Sequence, residues 1–204
     1  MESVEALENE EKGPDWHAVR PLRKIVHRTK GGGVCPKRHP VPDIVASWIG
    51  AFLGILAITV PQQFLHLSAT TNIMLIGSFG ASAVLIYGLP RAALAQPRNL
   101  IGGHVVSALA GVSVFKLVGD AHLDVAAGMA VATAIALMHV TRTLHPPGGA
   151  TALIAVIGGE KTHALGYAYV AAPVFAGAAL MLIVALVANN LPSNTRRHYP
   201  LYWW

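Results

Sequence analysis

Apolar residues gather into six runs along this chain, at about 44–60, 72–89, 100–118, 125–141, 147–159 and 167–190, with short polar breaks between them and a polar stretch ahead of the first. A helix that crosses the hydrocarbon layer of a bilayer needs about 20 apolar residues. The first four runs sit near that limit, the sixth meets it comfortably, and the fifth is too short to cross alone. The pattern predicts an all-α polytopic membrane protein. Runs two and five also read alike: Gly80-Ala81-Ser82-Ala83-Val84-Leu85-Ile86 recurs 69 positions on as Gly149-Ala150-Thr151-Ala152-Leu153-Ile154-Ala155, directly after His145-Pro146-Pro147-Gly148. Proline has no backbone N–H and glycine relaxes the chain, so the segments at about 72–89 and 147–159 are expected to be broken spans or re-entrant hairpins. The six segments then form two inverted three-segment repeats, an arrangement in which transporters place a central site.

Composition supports the membrane assignment. Hydrophobic residues make up 53% of the 204 positions and charged residues 12%. Between Ile44 and Leu191 only eight are Lys, Arg, Asp or Glu, too few to cover the surface of a soluble domain. Three regions follow: a basic N-terminal arm over 1–43, partly disordered at its acidic start; a membrane domain over 44–191; and a basic, aromatic tail over 192–204. The start lacks a secretory pattern. Arg20, Arg23, Lys24 and Arg28 are placed to lie along anionic headgroups or to stay solvated. If all six runs cross, thirteen basic residues share one face and only Lys116 and Lys161 fall on the other, which puts both ends in the cytoplasm. Tyr199, Tyr202, Trp203 and Trp204 read as an interfacial anchor. Cys35 is the single cysteine, so no intrachain disulfide forms.

Small residues mark where helices meet. Ala126, Ala130 and Ala134 recur at four-residue spacing in run four, which places that helix in the middle of the bundle. Gly50 and Gly54 form a GxxxG pair that marks either helix packing or a subunit contact, and a homo-oligomer is an open expectation.

The chemistry of the polar residues points to anions. A helix that restarts inside a membrane presents unpaired N–H groups and the positive end of its dipole. Past Asp43 the carboxylates are Asp120, Asp124 and Glu160, all at run ends, whereas a cation carrier needs an acidic residue at membrane depth. Near the motif runs stand Arg98, Asn99, His104, Arg142 and His145, with the hydroxyls of Ser78, Ser82 and Thr151. Arg98 can bind a bent oxyanion through paired donors, and Asn99 adds an amide. His104 and His145 are candidates for proton coupling or for structural hydrogen bonds. Ser82 and Thr151 can cap their half-helices or donate to the anion, and Gly80, Gly148 and Gly149 would permit its close approach. No HExxH pair, carboxylate dyad or activated nucleophile is present, so an enzyme is not expected, nor a metal, a cofactor or a nucleic-acid partner. The expected partners are a small anion and the lipid bilayer; a membrane scaffold or regulatory subunit is the alternative.

Three ordered motifs carry a resemblance. Gly77-Ser78-Phe79-Gly80-Ala81-Ser82, then Ala95-Gln96-Pro97-Arg98-Asn99 leading to Gly102-Gly103-His104, then His145-Pro146-Pro147-Gly148-Gly149-Ala150-Thr151-Ala152 together resemble the HPP family of integral membrane proteins over about 44–190. The resemblance implies four membrane spans, which matches six runs only if the two motif runs are broken or re-entrant. It also implies a carrier or channel for nitrite, the anion associated with cyanobacterial and chloroplast members. The acidic start shows no plastid transit pattern, so a bacterial inner membrane is the expected location.

Overall fold

The computed structural model describes residues 25, 28, 29, 33–64, 77–191 and 197–204. Arg20, Arg23, Lys24, Arg196 and the first residues of run two lie outside them. Contacts divide the chain into Met1–Arg38 and His39–Trp204. In the first unit Arg28 and Cys35 are exposed.

The second unit is helical throughout its described elements. Helix α1 (Val41–Phe64) follows Pro40, whose carbonyl accepts from Asp43 N and Ile44 N. A short helix α2 (Gly77–Ala83) continues as a π-helical turn over Val84–Gly88. A 3-10 turn at Ala93–Ala95 leads into α3 (Pro97–Val118), which opens with proline at its first position, where no N–H is needed. Helix α4 (Leu123–Val140) returns, followed by α5 (Pro146–Ile157) and the small α6 (Gly159–Leu165). A π-helical segment over Val170–Phe175 then enters α7 (Ala176–Asn190).

Four of these helical stretches are long and apolar enough to cross a membrane: Val41–Val60, Pro97–Val118, Leu123–Val140 and Val170–Asn190. Gly77–Gly88 and Pro146–Ile157 are apolar but short. At 1.5 Å per residue each reaches about 18 Å, little more than half the hydrocarbon layer. These are the two runs whose glycines and prolines predicted a break.

The C-terminal residues fix which ends lie together. Arg197 binds the start of α1, the end of the π turn after α2 and the end of α7. Tyr199 OH donates to Ala95 O and Leu201 N to Gln96 Oε1, at the start of α3. Arg98 at that start reaches Thr141 O, just past α4. Helices α1 and α3 therefore leave this end of the bundle, and α4 and α7 return to it. The predicted tail anchor folds in part onto the protein: Tyr199 is buried, whereas Trp203 and Trp204 are exposed.

Burial places α3 rather than α4 at the centre. It is the most buried of the four long spans and packs against both α4 and α5. The Ala126, Ala130, Ala134 stripe is fully buried, but it serves one face of α4 only, and Val125, Met129 and Ile135 on other faces are exposed. Small residues let one side of α4 approach closely; they do not surround it. The GxxxG pair is likewise internal. A methyl on Gly54 would stand 2.1 Å from Tyr87 Oη, and one on Gly50 2.9 Å from Tyr87 Cδ1, so both glycines make room for a buried tyrosine of the same chain.

Candidate functional site

Helix α2 sets Ser78 and Ser82 one turn apart on a single face, and both are fully buried. Opposite them, α3 supplies His104, while α5 supplies Thr151 and, at its N-cap, His145; these too are fully buried. Ser82 Oγ lies 2.7 Å from His104 Nε2 and 2.9 Å from His145 Nε2. His104 Nδ1 lies 2.7 Å from Thr151 Oγ1, which in turn is 2.9 Å from Ser78 Oγ. His145 Nδ1 is 2.8 Å from the carbonyl of Leu94. One imidazole thus holds the two matching hydroxyls of the repeat, Ser82 and Thr151, on its two nitrogens.

Close helix contacts hold the rings in register. A methyl on Gly103 would stand 2.4 Å from His145 Cβ and 2.8 Å from Thr143 O, and one on Gly148 would stand 2.6 Å from Ser107 Oγ and 2.9 Å from Gly103 O. Only glycine permits α3 and the start of α5 to approach this far. The two imidazoles meet edge to face at 5.0 Å between centroids, and Phe79 packs on His104 at 5.3 Å. Tyr169, at the head of the second π-helical segment, donates to Thr151 O. Single π turns within helices accompany functional sites with unusual frequency. Here one follows Ser82, whereas the segment after Tyr169 is interrupted at Ala172, whose backbone is extended (φ −141, ψ 123).

Arg98 and Asn99 lie elsewhere. They line a cavity of about 320 Å³ with Arg142, Tyr202 and Trp204, at the end of the bundle where α3 starts. From Arg98 to His104 is six residues of helix, or about 9 Å. Asn99 Nδ2 donates to Leu144 O, and Arg98 Nη2 to Thr141 O at 2.9 Å. Arg142 caps α4 with φ 58, a left-handed conformation that usually takes glycine, while its own N–H donates to His139 O and that of Thr143 to Met138 O. A bulky residue in that region stores strain of the kind that collects at functional positions.

The expected half-helix donors are reduced in number. Pro146 and Pro147 have no N–H, and Gly148 N–H is spent on His145 O at 2.8 Å, so the start of α5 does not present an open set of donors. Gly80 is exposed and Gly149 half-buried, and a methyl on either would meet no close neighbour. The structure therefore joins His104, His145, Ser82 and Thr151, with Gly148 beside them, and leaves Arg98 and Asn99 in the pocket at the end of the bundle. Leu94 O and Tyr169 also belong to the centre. Nothing in the sequence marks a backbone carbonyl as a ligand for an imidazole, but the four-residue spacing of Ser78 and Ser82 was visible. Among the described residues no group of three His, Cys, Asp or Glu side chains could hold a metal ion.

These features define an integral membrane protein in which four long helices and two short ones enclose a buried imidazole–hydroxyl centre, with an arginine-lined pocket at one end of the bundle. The chain belongs to the HPP transmembrane family, whose model matches residues 36–200. It is similar to two transmembrane proteins of Dictyostelium discoideum. It is 46% identical to one over 173 residues, 82% of this chain and 59% of that protein. It is 44% identical to the other over 180 residues, 86% of this chain and 56% of that protein. The chain thus spans less than two thirds of the length of these relatives. No solved structure matches it.

Proposed function

We propose that the protein carries a small monovalent inorganic anion, nitrite in the first place, across the membrane. The observation that carries this reading is the donor-rich, carboxylate-free centre of Ser78, Ser82, His104, His145 and Thr151, buried between the two short helices. Bare cations need acidic or carbonyl cages at membrane depth, whereas hydroxyl and imidazole N–H groups solvate anions. The Arg98–Arg142 mouth would gather anions electrostatically before they reach the centre. In this reading α1 to α3 and α4 to α7 are inverted halves, with Ser82 and Thr151 as matching members. Both chain ends face the cytoplasm, because Arg91, Arg98, Arg142 and Arg197 belong to one end of the bundle and Lys116 and Lys161 to the other. The chain is then a transport protein and not an enzyme, and its partners are the anion and the bilayer. A bacterial inner membrane is the sequence's expectation for its location; the relatives, both from a eukaryote, add no support to it.

One observation favours the scaffold alternative: each polar group of the centre already has a partner within the protein, as in a network that only packs helices. Uptake into proteoliposomes separates the two. Purified protein should take up nitrite saturably, faster than empty vesicles do and in preference to potassium, with nitrate and formate as comparisons. Folded Arg98→Ala and Ser82→Ala variants should lose most of that uptake. Nitrite entry no faster than in empty vesicles would overturn the transport reading in favour of the scaffold.

A further inference from the structure

We propose that His104, Ser82 and His145 form a site that holds one proton and couples the passage of each anion to that proton; the proposal rests on the anion reading above. Leu94 O only accepts, so His145 Nδ1 must carry a hydrogen. In a neutral ring Nε2 then accepts, and the Ser82 hydroxyl donates to it. That hydroxyl has no second hydrogen, so the 2.7 Å contact with His104 requires His104 Nε2–H to donate. His104 Nδ1 must then accept from Thr151, so in the uncharged centre the Thr151 hydroxyl turns to His104 and away from Ser78 Oγ, to which it donates in the structure. The uncharged centre has a single consistent direction, with the two histidines in opposite tautomers.

A second arrangement satisfies the same contacts and contains one more proton. When hydronium delivers a proton at Ser78 and leaves as water, one hydrogen moves along each link: Ser78 to Thr151, Thr151 to His104 Nδ1, His104 Nε2 to Ser82, and Ser82 to His145 Nε2. Each link breaks one O–H or N–H bond and forms another. The net change is one new N–H bond and a positive charge on His145, with no electron transferred. The Thr151 hydroxyl then turns to Ser78 Oγ or to Pro147 O. A second proton has no such place. It would make both rings cationic at 5.0 Å between centroids and leave the Ser82 hydroxyl, flanked by two N–H donors, without an acceptor.

The capacity of the chain is therefore one proton. Other titratable groups on the surrounding elements are occupied elsewhere or lie at the ends. Tyr169 donates to Thr151 O, and Tyr87, beyond Ser82, donates to Met181 O. His139 lies on an exposed face of α4, Arg98 and Arg142 at the mouth, Asp43 at the start of α1 and Lys116 near the far end of α3. None of these groups bonds either ring. A monovalent anion entering an apolar interior needs a compensating charge, and a single imidazolium supplies it. Transport is then electroneutral, one proton with one anion.

The test uses the wild-type chain in proteoliposomes, with nitrite uptake and internal acidification followed together and corrected for empty vesicles. The membrane potential is held at zero and at about −100 mV. One proton per nitrite, at a rate that changes less than twofold between the two potentials, is expected. Nitrite uptake above background without protons, at a rate that follows the potential, overturns the proton site and leaves the anion reading standing. No nitrite uptake above background overturns both. Nitrogen-15 spectra of the imidazoles in the membrane, assigned with His104→Gln and His145→Gln, supply a readout independent of flux. At alkaline pH His104 should carry hydrogen on Nε2 and His145 on Nδ1, and acidification should produce one imidazolium. The same tautomer for both rings, or two imidazolium ions, overturns the proposal.

Discussion

Removing the Arg197 side chain tests how the bundle is closed. The residue is 4% exposed. Nη1 donates to Asp43 O at 3.0 Å and Ser47 Oγ at 3.1 Å, and Nη2 to Tyr87 O at 2.6 Å and Asn189 Oδ1 at 2.9 Å. One side chain thus joins the first turn of α1, the last carbonyls of the π turn after α2, and α7. Burial pulls the guanidinium below its ordinary range and the Asp43 carboxylate opposes that shift; the group stays charged. Four bonds at about 1.5–3 kcal/mol each would sum to 6–12 kcal/mol. The desolvation of the cation offsets much of this, and truncating one partner of a buried charged pair costs about 3–5 kcal/mol.

Arg197→Ala should therefore destabilise the protein by about 4 kcal/mol, which for a chain of this size lowers Tm by about 8–16 °C. Arg197→Lys should recover less than half of the loss, because a single ammonium cannot fork across two helix ends. The assay is thermal unfolding of the detergent-solubilised protein, followed by tryptophan fluorescence. Asn189→Ala combined with Arg197→Ala should cost less than the sum of the single variants, since each leaves the other's group unpaired. A Tm within about 2 °C of wild type for Arg197→Ala would refute the clamp, since even one lost charged hydrogen bond should exceed that change.

Gly54→Ala should cost about 1–3 kcal/mol by displacing Tyr87 from its bond to Met181 O, with the oligomeric state by light scattering unchanged; altered association at unchanged Tm would make the GxxxG face a subunit contact. Arg142→Gly should raise stability by about 1 kcal/mol through relief of the left-handed backbone, while nitrite uptake at low concentration falls; a lower Tm would show that the side chain more than repays its strain. Nitrate should compete with nitrite for uptake and sulfate should not, measured as inhibition in proteoliposomes, because one proton neutralises one negative charge; equal inhibition by sulfate would argue against a charge-matched centre.

Some of this was legible in the sequence because it depends on length alone. The count of apolar residues distinguished Pro146–Ile157 as too short to span, and the repeat marked its counterpart around Gly80. The match of Ser82 with Thr151 was also visible, as was the shortage of carboxylates. What could not be read was that both hydroxyls meet on His104, since that contact depends on how closely α3 approaches α2 and α5. The loss of donors at the start of α5 was open to inspection, because Pro146 and Pro147 lack N–H in any fold. Arg98 was legible as a cation near a span end, but its position at the mouth depends on Thr141 O and Asn99's bond to Leu144 O. Arg197 looked like a basic residue in a tail because sequence adjacency to a span suggests topology; its partners lie up to 154 positions away. The centrality of α3 was missed for a related reason. A stripe at four-residue spacing reports one good contact, whereas α3 is contacted on several faces and spreads its small residues among Gly103, Ser107, Ala108 and Gly111.

The separation of mouth and centre along α3 suggests why the charges are placed as they are. Arg98 and Arg142 remain where headgroups and water solvate them, so their permanent charge costs little, and an anion held there is exchangeable. A permanent cation at the depth of His104 would be costly to bury when the site is empty and would grip the anion when it is full. In the proposed mechanism an imidazole pair with a place for one extra proton would avoid both outcomes, because the charge would exist only while the anion does. The complete hydrogen bonding that favours a scaffold is then the condition for such a switch: each of the two states must satisfy every donor, or the chain would settle permanently in one of them. On that reasoning Ser82 is the pivot. Among the described residues it is the one group hydrogen-bonded to both rings, and a hydroxyl that can donate to either ring is what would allow one proton to reverse the whole centre.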